Sequence, residues 1–470
     1  MNFKGISYYL GLFCFPVSIL AFINILYSSY FDYFLSLNSY LITLILSLVV
    51  GLSLLVFSKN SDKKINFIDQ LILIILVYLL ISILVALPFY FSNYGVTFLN
   101  SVFESISGIT GTGFSIFNNV KYLDPTLVLW RSSSQWIGGL YFLLFLILIF
   151  SNKKFNFKMN DLTFSGDGSL NSQNNIKNLV LKIFILYSLI SLIIFILLNL
   201  SNVRLFNSLN LTMTLVSTGG FIPTDSLNRI ISTNAQKIVF IFSLLISMLN
   251  LFLVFNIFKK NILLRQHQED FYIIILSIIL VLFIFFNNYN GLDIIINVLS
   301  SLSNSGLSLI KADHNLSLYF LLITLLGGSL ISCTSGIKLT RIFILLKITS
   351  IEIIKLISPN SIINKNIFNR EKKITDDNVR FSFLIFISFF ISLFILSGIL
   401  IFDNIDFEKS FKLSLLTITN TTNSDMYGVN KMNFASLLTS SKLSLITFMI
   451  IGKIELISIF LIIKKIFFKD

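Results

Sequence analysis

Charge and metal-binding side chains are what this 470-residue chain has least of. Charged residues make up 12% of it, about half the share of an ordinary soluble domain, so neither a soluble enzyme nor a charge-rich disordered chain is expected. The two cysteines, Cys14 and Cys333, lie far apart inside apolar stretches, which leaves no disulfide framework and no zinc spacing. The two histidines, His267 and His314, have no second histidine or cysteine at ligand spacing, which argues against histidine-based metal catalysis. No Gly-x4-Gly-Lys-Ser/Thr loop is present to cradle a nucleotide, and the pair Gly111/Gly113 lacks the third glycine of a dinucleotide fingerprint. With no pair of membrane-embedded carboxylates and no nucleophile motif, a polytopic membrane enzyme stands only as the alternative from a different class.

What the chain has instead is apolar length: 55% hydrophobic residues, 50 phenylalanines and a mean hydropathy of +0.88. Ten runs meet or approach the ~20 residues that span a bilayer, at 6–30, 40–57, 71–92, 128–150, 178–200, 236–258, 271–287, 317–347, 381–402 and 443–466. Lys4 precedes a long apolar run without a small-residue cleavage site, so the first run reads as a retained helix. The net charge of +13 does not indicate nucleic acid, because the basic residues sit in short linkers between apolar runs. With both termini cytoplasmic, the inside linkers hold roughly twenty Lys/Arg against about eight outside, as the positive-inside rule requires. The expected place is therefore the cell inner membrane, multi-pass, in contact with lipid.

Four outside segments, 93–126, 201–235, 288–316 and 403–442, are too apolar for plain loops and too short for domains. Each joins an apolar-periodic stretch to a Ser/Thr/Asn/Gly cluster. Asn100-Ser101 stands as far before Gly113 as Asn207-Ser208 stands before Gly220, which marks an internal repeat of helix, re-entrant helix, small-residue loop and helix. A bilayer tolerates irregular backbone only where it lines water or holds an ion. Four such loops around one axis would present rings of carbonyls able to replace the hydration shell of an alkali cation. Short helices pointing their C-terminal ends at the axis would favour positive charge. Parallel repeats speak against an inverted-repeat secondary transporter.

These residues resemble the Trk/Ktr/HKT family of potassium transporters, and within it the TrkH-like bacterial membrane subunit. Gly108-Ile-Thr-Gly-Thr-Gly113 is similar to that family's first filter loop, Ser217-Thr-Gly-Gly220 to the second and Asn304-Ser-Gly306 to the third. Trp130-Arg131 through Gly138-Gly139 is similar to the signature opening the next helix, and Met248-Leu-Asn250 to its counterpart in the second repeat. Gly327-Gly328 through Lys338 and Arg341 has the frame of the family's intramembrane loop, and Gly452-Lys453-Ile-Glu455 stands where the family has Gly-Arg-Leu-Glu.

The resemblance implies an all-α polytopic protein with two preface helices and four membrane-pore-membrane repeats in pseudo-fourfold arrangement. The divisions expected are a preface at 1–70 and repeats at 71–150, 151–260, 261–350 and 351–470, the last preceded by a basic cytoplasmic linker. It implies potassium uptake through a filter of Thr112, Gly113, Thr218, Gly219, Gly220, Ser305, Gly306, Thr421 and Thr422, with K⁺ held at Thr112, Thr218, Ser305 and Thr421. Lys453, Ser332, Cys333, Thr334 and Asn250 become the gate and pore residues. It further implies no enzymatic activity, no cofactor, a homodimer and a cytosolic nucleotide-binding regulatory subunit. Passive conduction and symport with H⁺ or Na⁺ both stay open. One departure stands out: the fourth filter reads Asn420-Thr421-Thr422-Asn423, without the family's glycine, which narrows the ring and makes a less selective K⁺/Na⁺ transporter the alternative within the same fold.

Other charged and aromatic residues have two readings each. Lys453 is expected to face the path below the filter or to make a helix-packing contact with Glu455 or a nearby carbonyl. Lys338 and Arg341 fit a gate role or cytoplasmic-end snorkelling equally. Asp124, Asp225, Asp313 and Asp425 would form an anionic vestibule or cap loops. Trp130 and Trp136 read as interfacial belt residues, and Glu104 as either a pore-helix anchor or solvent-exposed.

Overall fold

A computed structural model describes residues 2–33, 36–59, 65–150, 173–256, 267–285, 291–309, 314–361, 363–368, 373–429 and 432–454. Helices α1 (Phe3–Tyr30) and α2 (Leu37–Phe57) form a hairpin. They approach closely because Gly11 and Gly51 face each other: a Cβ on Gly11 would lie 2.9 Å from the Gly51 carbonyl. This hairpin packs on α3 (Phe67–Tyr90), which opens with a capping box of Asn66 and Asp69.

From α3 onward the chain repeats one plan four times. The first unit is α3, α4 (Phe98–Thr110) and α5 (Pro125–Phe150); the second is α6 (Gln173–Leu200), α7 (Leu205–Ser217), α8 (Asn234–Met248) and the one-turn α9 (Leu253–Asn256). The third is α10 (Gln268–Phe285), α11 (Gly291–Leu302), α12 (His314–Leu326) and α13 (Leu339–Ile357); the fourth is α14 (Asp376–Phe402), α15 (Phe407–Ile418) and α16 (Thr439–Ile454). Helix α13 runs across the division expected at residue 350. Among the described residues six helices are long and apolar enough to cross a membrane, and no strand forms beyond one isolated bridge between Asn366 and Lys373.

The middle helix of each unit has 12 or 13 residues. At 1.5 Å per residue it reaches about 20 Å, short of the ~30 Å hydrocarbon core. Each of α4, α7, α11 and α15 packs between the two flanking helices of its own unit. The units also interlock in sequence: α5 packs on α7, α8 on α11, α12 on α15, and α16 returns to α4. The four units therefore close into a ring, with the small-residue loops after α4, α7, α11 and α15 meeting inside it.

Two helices are interrupted. The run expected at 236–258 stops at Met248, and the run at 317–347 is broken by the segment 327–338 between α12 and α13. The two breaks satisfy each other: Ser329 N–H donates to the Met248 carbonyl at 2.9 Å and Leu251 N–H to the Ile331 carbonyl at 3.0 Å.

Close backbone approach fixes where the outer helices meet the pore helices. A Cβ on Gly138 of α5 would stand 2.0 Å from the Ile109 carbonyl oxygen, and one on Gly452 of α16 2.3 Å from that of Ile418. Gly398 in α14 has nothing within 4 Å. We expect Gly138→Ala and Gly452→Ala to cut the yield of folded protein several-fold while Gly398→Ala leaves it unchanged, measured by fluorescence-detected size exclusion. Equal yields for all three would contradict the packing.

Trp130 is a correction to the belt reading. It is 1% exposed, and its indole N–H donates to the Val85 carbonyl of α3 at 3.0 Å. Apolar protein and apolar lipid select the same side chain, and here protein surrounds it.

Candidate functional site

Each pore helix ends in a common backbone pattern. Gly111 (φ 74), Thr218 (φ 56), Asn304 (φ 61) and Asn420 (φ 48) occupy the left-handed region, followed two residues later by Gly113 (φ 74), Gly220 (φ 88) and Gly306 (φ 67). Thr422 holds the corresponding place in the fourth unit without a positive φ. The residues between these positions form one level of the ring: Thr112, Gly219, Ser305 and Thr421. Thr218, expected on that level, stands one residue earlier, with Gly111, Asn304 and Asn420.

The glycines are required by contact as well as by φ. A Cβ on Gly113 would lie 2.6 Å from the Gly219 carbonyl oxygen, one on Gly220 2.4 Å from that of Ser305, and one on Gly306 2.5 Å from that of Thr422. The first three units thus each press a bare α-carbon against a carbonyl of the next unit, and a side chain at any of the three places would obstruct the ring.

Asparagine side chains bind the units together at the level of Thr112 and Thr421. Asn304 donates to the Thr421 hydroxyl at 3.2 Å and to the Thr324 carbonyl at 2.8 Å; Asn420 donates to the Thr112 hydroxyl at 2.9 Å and to the Met449 carbonyl at 2.9 Å. Gln135 of α5 does the same for the second loop, its carbonyl accepting from Phe221 N–H at 3.1 Å. These ties were not singled out from the sequence. An Asn just after a short helix, in a chain rich in Asn, carries no distinguishing signal.

The first loop is braced by ions. Glu104 is fully buried, which makes it the anchor rather than a surface residue. It accepts from Arg131 Nε at 2.8 Å, Ser115 Oγ at 3.1 Å and Ile116 N–H at 2.8 Å. Arg131 also donates to Ser115 Oγ at 2.9 Å and lies 4.1 Å over the ring of Phe221, so it touches the second loop too. The candidate vestibule carboxylates have different surroundings. Asp124 is buried and accepts from Ser36 Oγ at 2.8 Å, Asp225 pairs with Arg229 at 3.1 Å, and Asp313 lies outside the described residues.

At the foot of the ring, the Lys453 ammonium of α16 is 3.7 Å from the position of a Cβ on Gly111. It donates to the Cys333 carbonyl at 2.9 Å and to Ser335 Oγ at 3.4 Å, and lies 4.5 Å from the centre of the Phe142 ring. The pairing with Glu455 falls outside the described residues. Lys338 is buried and fills the turn of the 327–338 loop, donating to the carbonyls of Ser329 (3.2 Å), Ser332 (3.4 Å) and Thr334 and to the Thr334 hydroxyl (2.9 Å). It is a loop-holding cation, not a snorkelling one. Ser332 and Thr334 hydroxyls are 2.7 Å apart within this turn.

Helix α10 secures both helix breaks from its first turn. Glu269 accepts from Leu330 N–H at 3.1 Å, while Asp270 accepts from Asn250 N–H at 2.9 Å and is held by His267 Nδ1 at 2.8 Å. Asn250, expected in the pore, thus sits in the break after α8, where its side-chain Oδ1 accepts from Phe252 N–H at 3.0 Å. Acidic residues suit a helix N-terminus, and that generic reading is why the pair gave no functional signal in the sequence.

Four loops closing one ring, a lysine at its foot and a broken helix beside it make up the arrangement. The family model described as TrkH, cation transport protein, matches residues 36–260. The chain also resembles individual cation transporters along most of its length. It is 24% identical to the uncharacterized cation transporter MJ1485 of Methanocaldococcus jannaschii, over 100% of this chain and 97% of that protein. It is 25% identical to the Trk system potassium uptake protein TrkG of Escherichia coli, over 93% and 92%. The TrkH-like fold extends along the chain: the crystal structure of the potassium transporter TrkH from Vibrio parahaemolyticus superposes with a TM-score of 0.85, 18% identity and 98% of each chain covered.

Proposed function

We propose that this chain is a cation transporter of the inner membrane that takes up potassium through the four-loop ring. The observation carrying this reading is the ring itself: four loops in one register at the C-terminal ends of four short helices, with the glycines of three of them pressed against neighbouring carbonyls. In this reading K⁺ is dehydrated at the level of Thr112, Gly219, Ser305 and Thr421, with Thr218, Gly113, Gly220, Gly306 and Thr422 shaping the ring around it. The loop carrying Ser332, Cys333 and Thr334, held by Lys338 and Lys453, is the gate. The relatives it matches are named as transporters and uptake proteins, not as enzymes, and transport needs no cofactor. A cytosolic nucleotide-binding subunit regulating the gate, a homodimer and cytoplasmic termini belong to the same proposal.

Expression in a bacterium stripped of its own potassium uptake should restore growth at low external K⁺, alone or with a Trk-type regulator. The purified chain in liposomes should take up Rb⁺, with Na⁺ and Li⁺ as comparison ions. Folded, inserted protein that passes neither K⁺ nor Rb⁺, with and without a regulator, would end this reading.

A further inference from the structure

Thr422 places a side chain where the other three units have none. Its hydroxyl lies 3.0 Å from the Thr112 carbonyl oxygen and 3.1 Å from that of Gly219, and its one proton is shared between them. In the order of the ring, the first of these carbonyls belongs to the adjacent unit and the second to the unit across the axis. The same oxygen would stand 1.9 Å from a Cβ on Gly113 and 1.8 Å from one on Gly220. A single atom that reaches the neighbouring and the opposite unit lies inside the ring. Thr421 next to it is fully buried, whereas Thr422 is partly exposed, so its side chain comes in from the accessible side.

We propose that the Thr422 hydroxyl is a tethered occupant of the carbonyl ring, a side-chain gate held shut by the hydrogen bond that its one proton shares between two carbonyls. This rests on the cation-conducting reading above. A hydroxyl proton and a dehydrated cation satisfy carbonyl oxygens in the same way, so the two compete for Thr112 and Gly219. Entry of the ion requires Thr422 to turn about χ1 into another staggered well, which withdraws the hydroxyl and opens the ring. The three glycine units have no such step, and the backbone of Thr422 differs from theirs in lacking the positive φ. Conduction is thereby limited at low ion concentration by release of a side chain rather than by ring geometry alone.

The test is Rb⁺ uptake per folded molecule in liposomes for the unaltered chain and for Thr422→Ser, Thr422→Val and Thr422→Ala. Serine keeps the donor, valine keeps the shape without it, and alanine removes both. A hydrogen-bonded gate predicts uptake at least fivefold above the unaltered chain for valine and alanine, and within about twofold of it for serine. Valine at or below the unaltered chain would reduce Thr422 to a steric constriction, and serine rising with alanine would assign the effect to bulk; either overturns the gate. Four equal, non-zero rates also overturn it while leaving cation conduction intact. Absence of flux from all four chains overturns both.

Discussion

Glu104→Gln and Arg131→Met should each destabilise the folded protein by about 3–5 kcal/mol, the cost of stranding one member of a buried ion pair. The side chains are 0% and 2% exposed, so bulk solvent does not reach a carboxylate or guanidinium left alone. The effect should not stay at the pair. Glu104 holds Ser115 and Ile116 just beyond Gly113, and Arg131 lies on Phe221 just beyond Gly220, so both of the first two loops lose their outer brace. The double variant should be less destabilised than the sum of the singles, because neither charge is then left unpaired. Thermal unfolding in detergent, followed by loss of the monodisperse species, measures this. Single variants as stable as the unaltered chain would mean that the pair braces nothing.

Lys453→Gln should raise Rb⁺ flux per folded molecule by about tenfold or more, with Lys453→Arg close to the unaltered chain. A unit charge a few ångströms from a permeating cation interacts by several kcal/mol at an effective dielectric near 20, and ~1.4 kcal/mol of barrier is already tenfold in rate. The structure adds a second route to the same outcome. The ammonium donates to Cys333 and Ser335 of the broken-helix loop, so its removal lowers the barrier at the foot of the ring and also releases the loop from α16. The two routes separate in the arginine variant: guanidinium keeps the charge but not the geometry of the ammonium contact. Raised flux in Lys453→Arg points to the loop contact, and flux unchanged there but raised in Lys453→Gln points to charge. Equal or lower flux for glutamine at normal folding would sink both.

The repeat was legible because membrane physics leaves few options: an irregular, small-residue segment between apolar runs has to line something. The spacing from Asn100 to Gly113 and from Asn207 to Gly220 already contained the register that pairs Thr112 with Gly219. Matching the threonines of the two loops instead moved Thr218 onto the wrong level. The break after Met248 was illegible, since Leu249, Leu251 and Phe252 are as apolar as a continuous helix would be, and the docked 327–338 loop together with Asp270 takes up the backbone groups it frees. The buried position of Trp130 was hidden for the related reason that hydropathy does not tell lipid from protein. Thr422 was readable as a missing glycine but not as a hydroxyl inside the ring, because which carbonyls a rotamer reaches depends on units more than two hundred residues earlier. Glu269 and Asp270 look like ordinary helix-start acids until the two broken helices they hold are in view.

The handover of each glycine to a carbonyl of the following unit bears on how the protein is made. The last link in the cycle is α16 against α4, with Asn420 donating to Thr112, which joins the final stretch of the chain to one synthesised more than three hundred residues before. Until that stretch has left the ribosome the ring has a missing quarter and no closed set of oxygens. A nascent or truncated chain without that stretch consequently lacks the closed ring on which the proposed conduction depends.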